Sequence, residues 1–261
     1  MPHVTVVLWH IEVSHYNEKA RWALDYKGIP YSSRVPMPGL HRVSALVATR
    51  GKHQRLPVVE IDGRRIGDST AIIAALEEHV PEPPLYPADP EARRRALELE
   101  DWFDEELAPE LRRFVWHHTL ADTDVVAQTL FSRPSPVRER FLRMSAPVAA
   151  LLVRRDYRIT SESADRGRDA VRAAMDRLES EVGTSGYLVG DGFTVADLTA
   201  ASLFTPLLTP PERPYAPTAF APAVQELRDE LMARPGGAWV ARMYALHRNQ
   251  HVTERVDALS H

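Results

Sequence analysis

Along the first eighty residues the apolar positions arrive in short β-branched runs separated by helical spacing; past residue 90 they recur three and four apart, with almost no strand signal. "VTVVLW" at residues 4–9 has strand length and composition, and from Glu18 to Lys27 the spacing turns helical, with Ala20, Ala23 and Leu24 on one face. "GIPYSSRV" predicts a second short strand and His41 to Ala48 a short helix. "LPVVEI" predicts a third strand, "GRRI" a fourth after a turn at Asp62 and Gly63, and Ser69 to His79 another helix. The expected order is β-α-β-α-β-β-α. A strand-helix-strand opening makes the first two strands parallel with a right-handed crossover, and the tight Asp-Gly turn makes the last two antiparallel. A small mixed sheet covered by three helices results.

"VPEPPLYPADP", Val80 to Pro90, holds five prolines in eleven residues and can continue neither helix nor sheet, so it reads as an interdomain linker. Beyond it, "EARRRALELEDWFDEELAPELRRFVWHH", "SADRGRDAVRAAMDRLESEVG", "TVADLTAASLFTPLL", "APAVQELRDELMARP" and "GAWVARMYALHRN" each carry an apolar stripe at helical period. The expected organisation is an α/β domain over 1–80, a linker over 81–90 and an all-α domain over 91–261. Pro109, inside the first long helix, is expected to kink it by removing a backbone donor.

Composition narrows the function. With 261 residues, 44% hydrophobic and 26% charged, the chain can bury a sizeable core and is expected to be globular. Its arginine doublets and triplet are interleaved with acidic residues and the net charge is -4, so no uncompensated basic face for nucleic acid is expected. No apolar run reaches the roughly 20 residues of a membrane span, and "MPHVTVVLWH" lacks the features of a signal peptide, which predicts a cytoplasmic location. The absence of cysteine excludes disulfides, thiolate metal sites and any nucleophilic thiol borne by the protein. His247 and His251 have helical spacing but no third ligand, and read as a solvated tail. No metal site is expected.

Three short features could carry chemistry. Ser14 stands where the first loop becomes a helix, a position in which serine ordinarily caps free N–H groups. Pro57 opens the third strand; a cis bond there would turn the backbone of Leu56 outward. Asp68 and Ser69 begin a helix whose first N–H groups suit a ligand carboxylate, although Asp-Ser is also an ordinary cap.

Taken in order, the strand, Ser14 at a helix start, His41, "RLP", "DS" opening a helix, the proline-rich linker and the all-α half resemble the cytosolic glutathione transferase superfamily, in its serine-type, theta- or zeta-like form. "YLVGDGFTVADLTAASL" adds to the resemblance, with Thr194 and Asp197 as a capping box. The resemblance implies a thioredoxin-like first domain followed by a helical one. It also implies a twofold dimer and activation of glutathione, or a similar small thiol, for attack on a small electrophile, as in detoxification. A non-catalytic binding or interaction module on the same scaffold is the alternative.

Carried over by position, the resemblance puts Ser14 at the glutathione sulfur and the Leu56 backbone, before Pro57, at the cysteinyl unit. Asp68 and Ser69 fall at the γ-glutamyl group, and His41 and Arg55 at the glycyl carboxylate. His10, Tyr16, Phe114 and His117 are candidates for the wall of the second-substrate pocket, with ordinary core packing the alternative for the aromatic stripe. Asn17 falls where related thioredoxin-like proteins carry their second cysteine, and Ser14 where they carry the first. Residues near 122–160 look like an extended insertion beside that pocket.

Overall fold

In the computed structural model of the chain, which describes residues 6–36, 45–47, 49, 51–52, 54–122, 125–126, 150–217 and 219–248, Val6–Trp9 forms β1 with Val6 and Leu8 turned into the core. The neighbours of β1 are β2 (Ser32–Arg34), parallel, and β3 (Val58–Ile61), antiparallel; β4 (Arg64–Gly67) completes the order β2-β1-β3-β4. Asp62 and Gly63 join β3 to β4 with φ of 49° and 80°, the two positive values a tight right-twisted hairpin needs. The expected mixed sheet is present. Of the short helix expected over His41 to Ala48, Ala45–Val47 is helical and the rest lies outside the described residues.

The crossover from β1 to β2 is α1 (His15–Tyr26). It stops at Gly28, whose φ of +63° lets Gly28 N–H reach Asp25 O and Ile29 N–H reach Leu24 O, a left-handed cap that closes the last carbonyls. The apolar stripe Ala20, Ala23, Leu24 is buried as the spacing requires, and so is the opposite face: Glu18, Lys19, Arg21 and Asp25. Each of these charges has a partner. Lys19 Nζ lies 2.8 Å from Glu100 and 2.5 Å from Asp104; Glu18 pairs with Arg21 (2.8 Å) and Arg248 (2.9 Å), and Arg248 also binds Asp25. Leaving one such charge buried without its partner costs about 3–5 kcal/mol, so these pairs fix how the second half docks on the first.

After α2 (Ser69–His79) the proline-rich segment is pinned rather than slack. Lys27 Nζ donates to the carbonyls of Val80 (2.8 Å) and Pro83 (3.0 Å) and pairs with Glu77 (2.6 Å), whose carboxylate accepts the Leu85 N–H. Side chains thus satisfy a backbone that proline keeps out of regular structure. The helical half follows: α3 (Pro90–Trp102), a π-turn (Phe103–Leu107), α4 (Ala108–Thr119), α5 (Ser161–Glu181), α6 (Val195–Leu203), α7 (Pro222–Met232) and α8 (Pro235–His247). At the start of α6 the Asp197 carboxylate accepts from Thr194 N–H (2.9 Å), Thr194 Oγ1 (2.8 Å) and Leu188 N–H (2.8 Å), the capping box read from the sequence. Among the described residues no helix is long and apolar enough to cross a membrane.

Just ahead of Pro109, where a kink is expected, the helix changes register in the π-turn. One expectation is corrected. His247 is half-buried and not part of a loose tail: its ring stacks on Phe193 at 4.3 Å and its Nε2 meets Tyr187 Oη at 3.0 Å. His251 and most of the span expected as an insertion, 122–160, lie outside the described residues, although 150–157 is helical.

The ion cluster gives the fold a defined acid response. Burial works to raise the Glu18 carboxyl, but Arg248, Arg21 and Arg213 together hold it down to about 2 from an ordinary 4.5. A depressed acid contributes stability above its unfolded pKa and loses it as pH falls through the folded value, here about 3 kcal/mol between pH 5 and pH 2. Urea unfolding across that interval is expected to show wild type losing about 3 kcal/mol more than Glu18→Gln; parallel pH profiles for the two would contradict the cluster's role.

Candidate active site

β1 ends at Trp9, and the loop of residues 10–14 carries the chain from the end of this interior strand into α1. Ser14 occupies the N-cap position with extended backbone (φ -74°, ψ 130°), yet its side chain makes no capping hydrogen bond. Its Oγ instead meets Asn17 Nδ2 at 2.7 Å. The Asn17 amide, fully buried, also meets Ile11 N at 2.9 Å through Oδ1 and Leu56 O at 3.3 Å through Nδ2. These partners settle which way the amide faces. A backbone N–H can only donate and a carbonyl can only accept, so Oδ1 faces Ile11, Nδ2 faces Leu56, and the same nitrogen donates to Ser14. Ser14 Oγ is therefore an acceptor toward Asn17.

The peptide bond between Leu56 and Pro57 is cis, and β3 begins at the next residue. Ser14 and Leu56, far apart in sequence, thus meet through one amide. Asp68, at the N-cap of α2 with φ of +75°, accepts the N–H groups of Thr70 (3.0 Å) and Ala71 (3.2 Å) on Oδ1; Ser69 is buried behind it. Two donors expected to meet a ligand carboxylate are thus already held by Asp68 itself. Arg55 is exposed in the loop before Leu56, and His41 lies outside the described residues.

The four residues expected at the pocket wall have different settings. His10 is fully buried, with Nε2 2.6 Å from Ser33 Oγ and Nδ1 2.8 Å from Arg21. Because arginine only donates, Nδ1 accepts and Nε2 carries the proton. The ring braces the end of β1 against β2 and α1 instead of facing an open wall. Phe114 is fully buried core, and His117 is half-buried near the end of α4, edge-on to His118 at 4.9 Å.

Tyr16 is tied to the π-turn. There the Ala108 N–H bonds to Phe103 O, five residues back, so the Asp104 carbonyl would need the N–H of residue 109, which is proline. Tyr16 Oη supplies the missing donor at 2.9 Å. Burial, the main cause, pushes the phenol well above its ordinary range, so it stays a neutral donor.

Sequence reasoning missed two arginines from the second domain. Arg213, fully buried in the loop after α6, donates to the carbonyls of Val13 (2.9 Å) and Thr205 (3.1 Å), and burial pushes its guanidinium down to about 10, still charged at neutral pH. Arg112 of α4 lies 4.1 Å from the Tyr157 ring centroid. Burial, then the charges of Arg112 and Arg213, hold the His15 imidazole well below its ordinary range, which places positive potential at the first turn of α1. Neither arginine stands in a recognisable motif. Among the described residues no group of three or more His, Asp or Glu is placed to hold a metal ion.

A four-stranded mixed sheet with a hydroxyl at its first helix start, a cis-proline strand opening and a helical second half defines a thioredoxin-like transferase scaffold. The description "Glutathione S-transferase, N-terminal domain" matches residues 8–84, and "Glutathione S-transferase, C-terminal domain" matches 142–235. The chain belongs to the glutathione S-transferase superfamily. The second match begins inside the span read as an insertion.

Among curated proteins the chain is similar to FtsZ-localized protein A of Caulobacter vibrioides, 30% identical over 156 residues, which cover 60% of this chain and 53% of that protein. It is also similar to a probable glutathione S-transferase of Nicotiana tabacum, 23% identical over 187 residues covering 72% and 64%. The matches thus span less than two thirds of either relative. Among solved structures, FzlA from C. crescentus (22% identity, 91% and 92% of the two chains, TM-score 0.56) and the β-etherase LigF from Sphingobium (21%, 91% and 98%, 0.59) share the fold. So does a glutathione S-transferase from Methylobacterium radiotolerans in complex with glutathione sulfonate (22%, 97% and 99%, 0.55).

Replacing Tyr16 with Phe strands the Asp104 carbonyl and is expected to cost about 1–2 kcal/mol, or about 3–6 °C in melting temperature. In a Pro109→Ala background the restored N–H can serve that carbonyl, so the same change is expected to cost less. Calorimetry of the four proteins reads this cycle, and equal losses in both backgrounds would contradict it.

Proposed function

We propose that the chain binds glutathione, or a similar small thiol, and activates its sulfur beside Ser14 for attack on a small, largely apolar electrophile. The observation that carries this reading is Ser14 itself. A serine at a helix start ordinarily spends its oxygen on the helix, and this one does not. It accepts from Asn17 and keeps one hydrogen to donate.

A free cysteinyl thiol, with a pKa near 8.5, is only a few per cent thiolate at neutral pH, and the thiolate is the nucleophile. A hydrogen bond to a charged group contributes about 1.5–3 kcal/mol and a helix start about 0.3–1. Roughly 2 kcal/mol of selective stabilisation lowers the thiol pKa by about one to two units, enough to make thiolate a major species. The charge of Arg213 beside Val13 acts in the same direction. No general base is required. In this reading the Leu56 backbone pairs with the cysteinyl unit, Asp68 and Ser69 meet the γ-glutamyl group, and Arg55 with His41 meets the glycyl carboxylate. The sulfur then faces a second substrate near Tyr16 and His117. Ether cleavage, as the name of LigF describes for that protein, is one subtype of such chemistry. The reading extends to a twofold dimer working in the cytoplasm in detoxification.

The second reading is a transferase-like module that binds a ligand or a protein without turnover. It is favoured by the relative whose name records localisation to FtsZ and no reaction, and by Asp68 holding two helix-start donors that a ligand would otherwise use.

Glutathione at about 100 times its dissociation constant is expected to add roughly 2.7 kcal/mol of stability, read as a thermal shift, with an S-alkyl glutathione as a second probe. Thiolate absorbance of the glutathione complex against pH is expected to titrate about one unit or more below free glutathione, and Ser14→Ala is expected to return it toward the free value. No shift with either ligand, or identical titrations for the two proteins, would refute the assignment. Binding with a lowered thiol pKa but no turnover of any electrophile would favour the second reading.

A further inference from the structure

We infer that Asn17 is the residue that sets the direction of the Ser14 hydroxyl, so that Ser14 can only donate outward; the inference rests on the proposed thiol-activating role. Asn17 stands one helical turn after Ser14, on the same face of α1, and is fully buried. Its oxygen faces Ile11 N–H and its nitrogen faces both Leu56 O and Ser14 Oγ. One amide N–H is directed at Leu56 and the other at Ser14, so the amide cannot flip without opposing donor to donor at Ile11 and acceptor to acceptor at Leu56. A hydroxyl has one hydrogen and two lone pairs. With one lone pair taken by Asn17, the hydrogen is excluded from that direction and turns to what lies in front of the loop. Accepting a hydrogen bond also polarises the O–H and makes it a better donor, by the cooperativity that links chained hydrogen bonds.

Asn17 touches no reacting atom in this scheme and acts through Ser14. It is a positioning residue. The same amide ties the loop, the helix and the strand opening together, so that Ser14 and the Leu56 backbone keep a fixed spacing for one ligand.

The test is the pH titration of thiolate absorbance in the full-length protein saturated with glutathione, for wild type, Ser14→Ala, Asn17→Ala, Asn17→Asp and the Ser14→Ala/Asn17→Ala double variant. Asn17→Ala is expected to raise the bound thiol pKa by a substantial part of the Ser14→Ala shift, and the double variant is expected to titrate with Ser14→Ala alone, because the amide acts only through the hydroxyl. Asn17→Asp, nearly isosteric, places a carboxylate that takes the Ser14 hydrogen for itself. It is expected to raise the pKa by about one unit or more, a tenfold loss of thiolate at a given pH below it. It carries the test if Asn17→Ala does not fold. A Ser14→Ala shift with unchanged titration in both Asn17 variants, or shifts that simply add in the double variant, would overturn the inference and leave the Ser14 role standing. Titration of Ser14→Ala identical to wild type would overturn both.

Discussion

A buried amide must find a partner for its oxygen and for each of its hydrogens, or the fold bears the cost of leaving them dry. Asn17 finds its partners in three segments: the loop after β1, the start of α1 and the residue before the cis-proline. Ser14 N–H also bonds the Ile11 carbonyl and Ile11 packs against Leu56, and the Asn17 amide is bonded to all three pieces. One side chain that faces no solvent therefore ties together the loop, the helix start and the strand opening of the candidate site. The chain has no cysteine, and the amide gives this site a fixed donor and acceptor set.

The opposite face of α1 does a second job. Lys19 reaches Glu100 and Asp104, Glu18 and Asp25 share Arg248, and Lys27 holds the linker, so the helix that presents Ser14 is also the element on which the second domain is seated. Coupling through shared charges means that the second domain contributes more than a wall. Arg213 holds the carbonyl of Val13, one residue before Ser14, and Tyr16 fills the hydrogen bond that Pro109 cannot make. Each contact converts a liability of the sequence, a buried guanidinium or an orphaned carbonyl, into a tie across the domain boundary.

Much of this architecture was legible in the sequence because its signals are local. Short β-branched runs and period-3.6 spacing marked the strands and helices, Asp62-Gly63 marked the hairpin, five prolines marked the linker, and Thr194 with Asp197 marked a helix start. The remainder depends on partners distant in the chain. Periodicity records apolar faces and is silent about buried charges that pair, so the burial of the polar face of α1 left no signal. Pro109 showed that a helix would be disturbed but not that a register change would absorb it. The settings of Ser14 and Asp68 at helix starts, and of Leu56 before the proline that opens a strand, were readable from order and spacing. The work of Asn17 and Arg213 was not, because Leu56 and Val13 become their neighbours only when the chain folds.

The account turns on where a ligand sulfur comes to rest. A crystal structure of the glutathione complex measures this directly. The expected result is a sulfur within hydrogen-bond reach of Ser14 Oγ, with Asn17 Nδ2 still bonded to that oxygen. A sulfur lodged elsewhere, or a Ser14 hydroxyl turned back onto the helix as a cap, would contradict it.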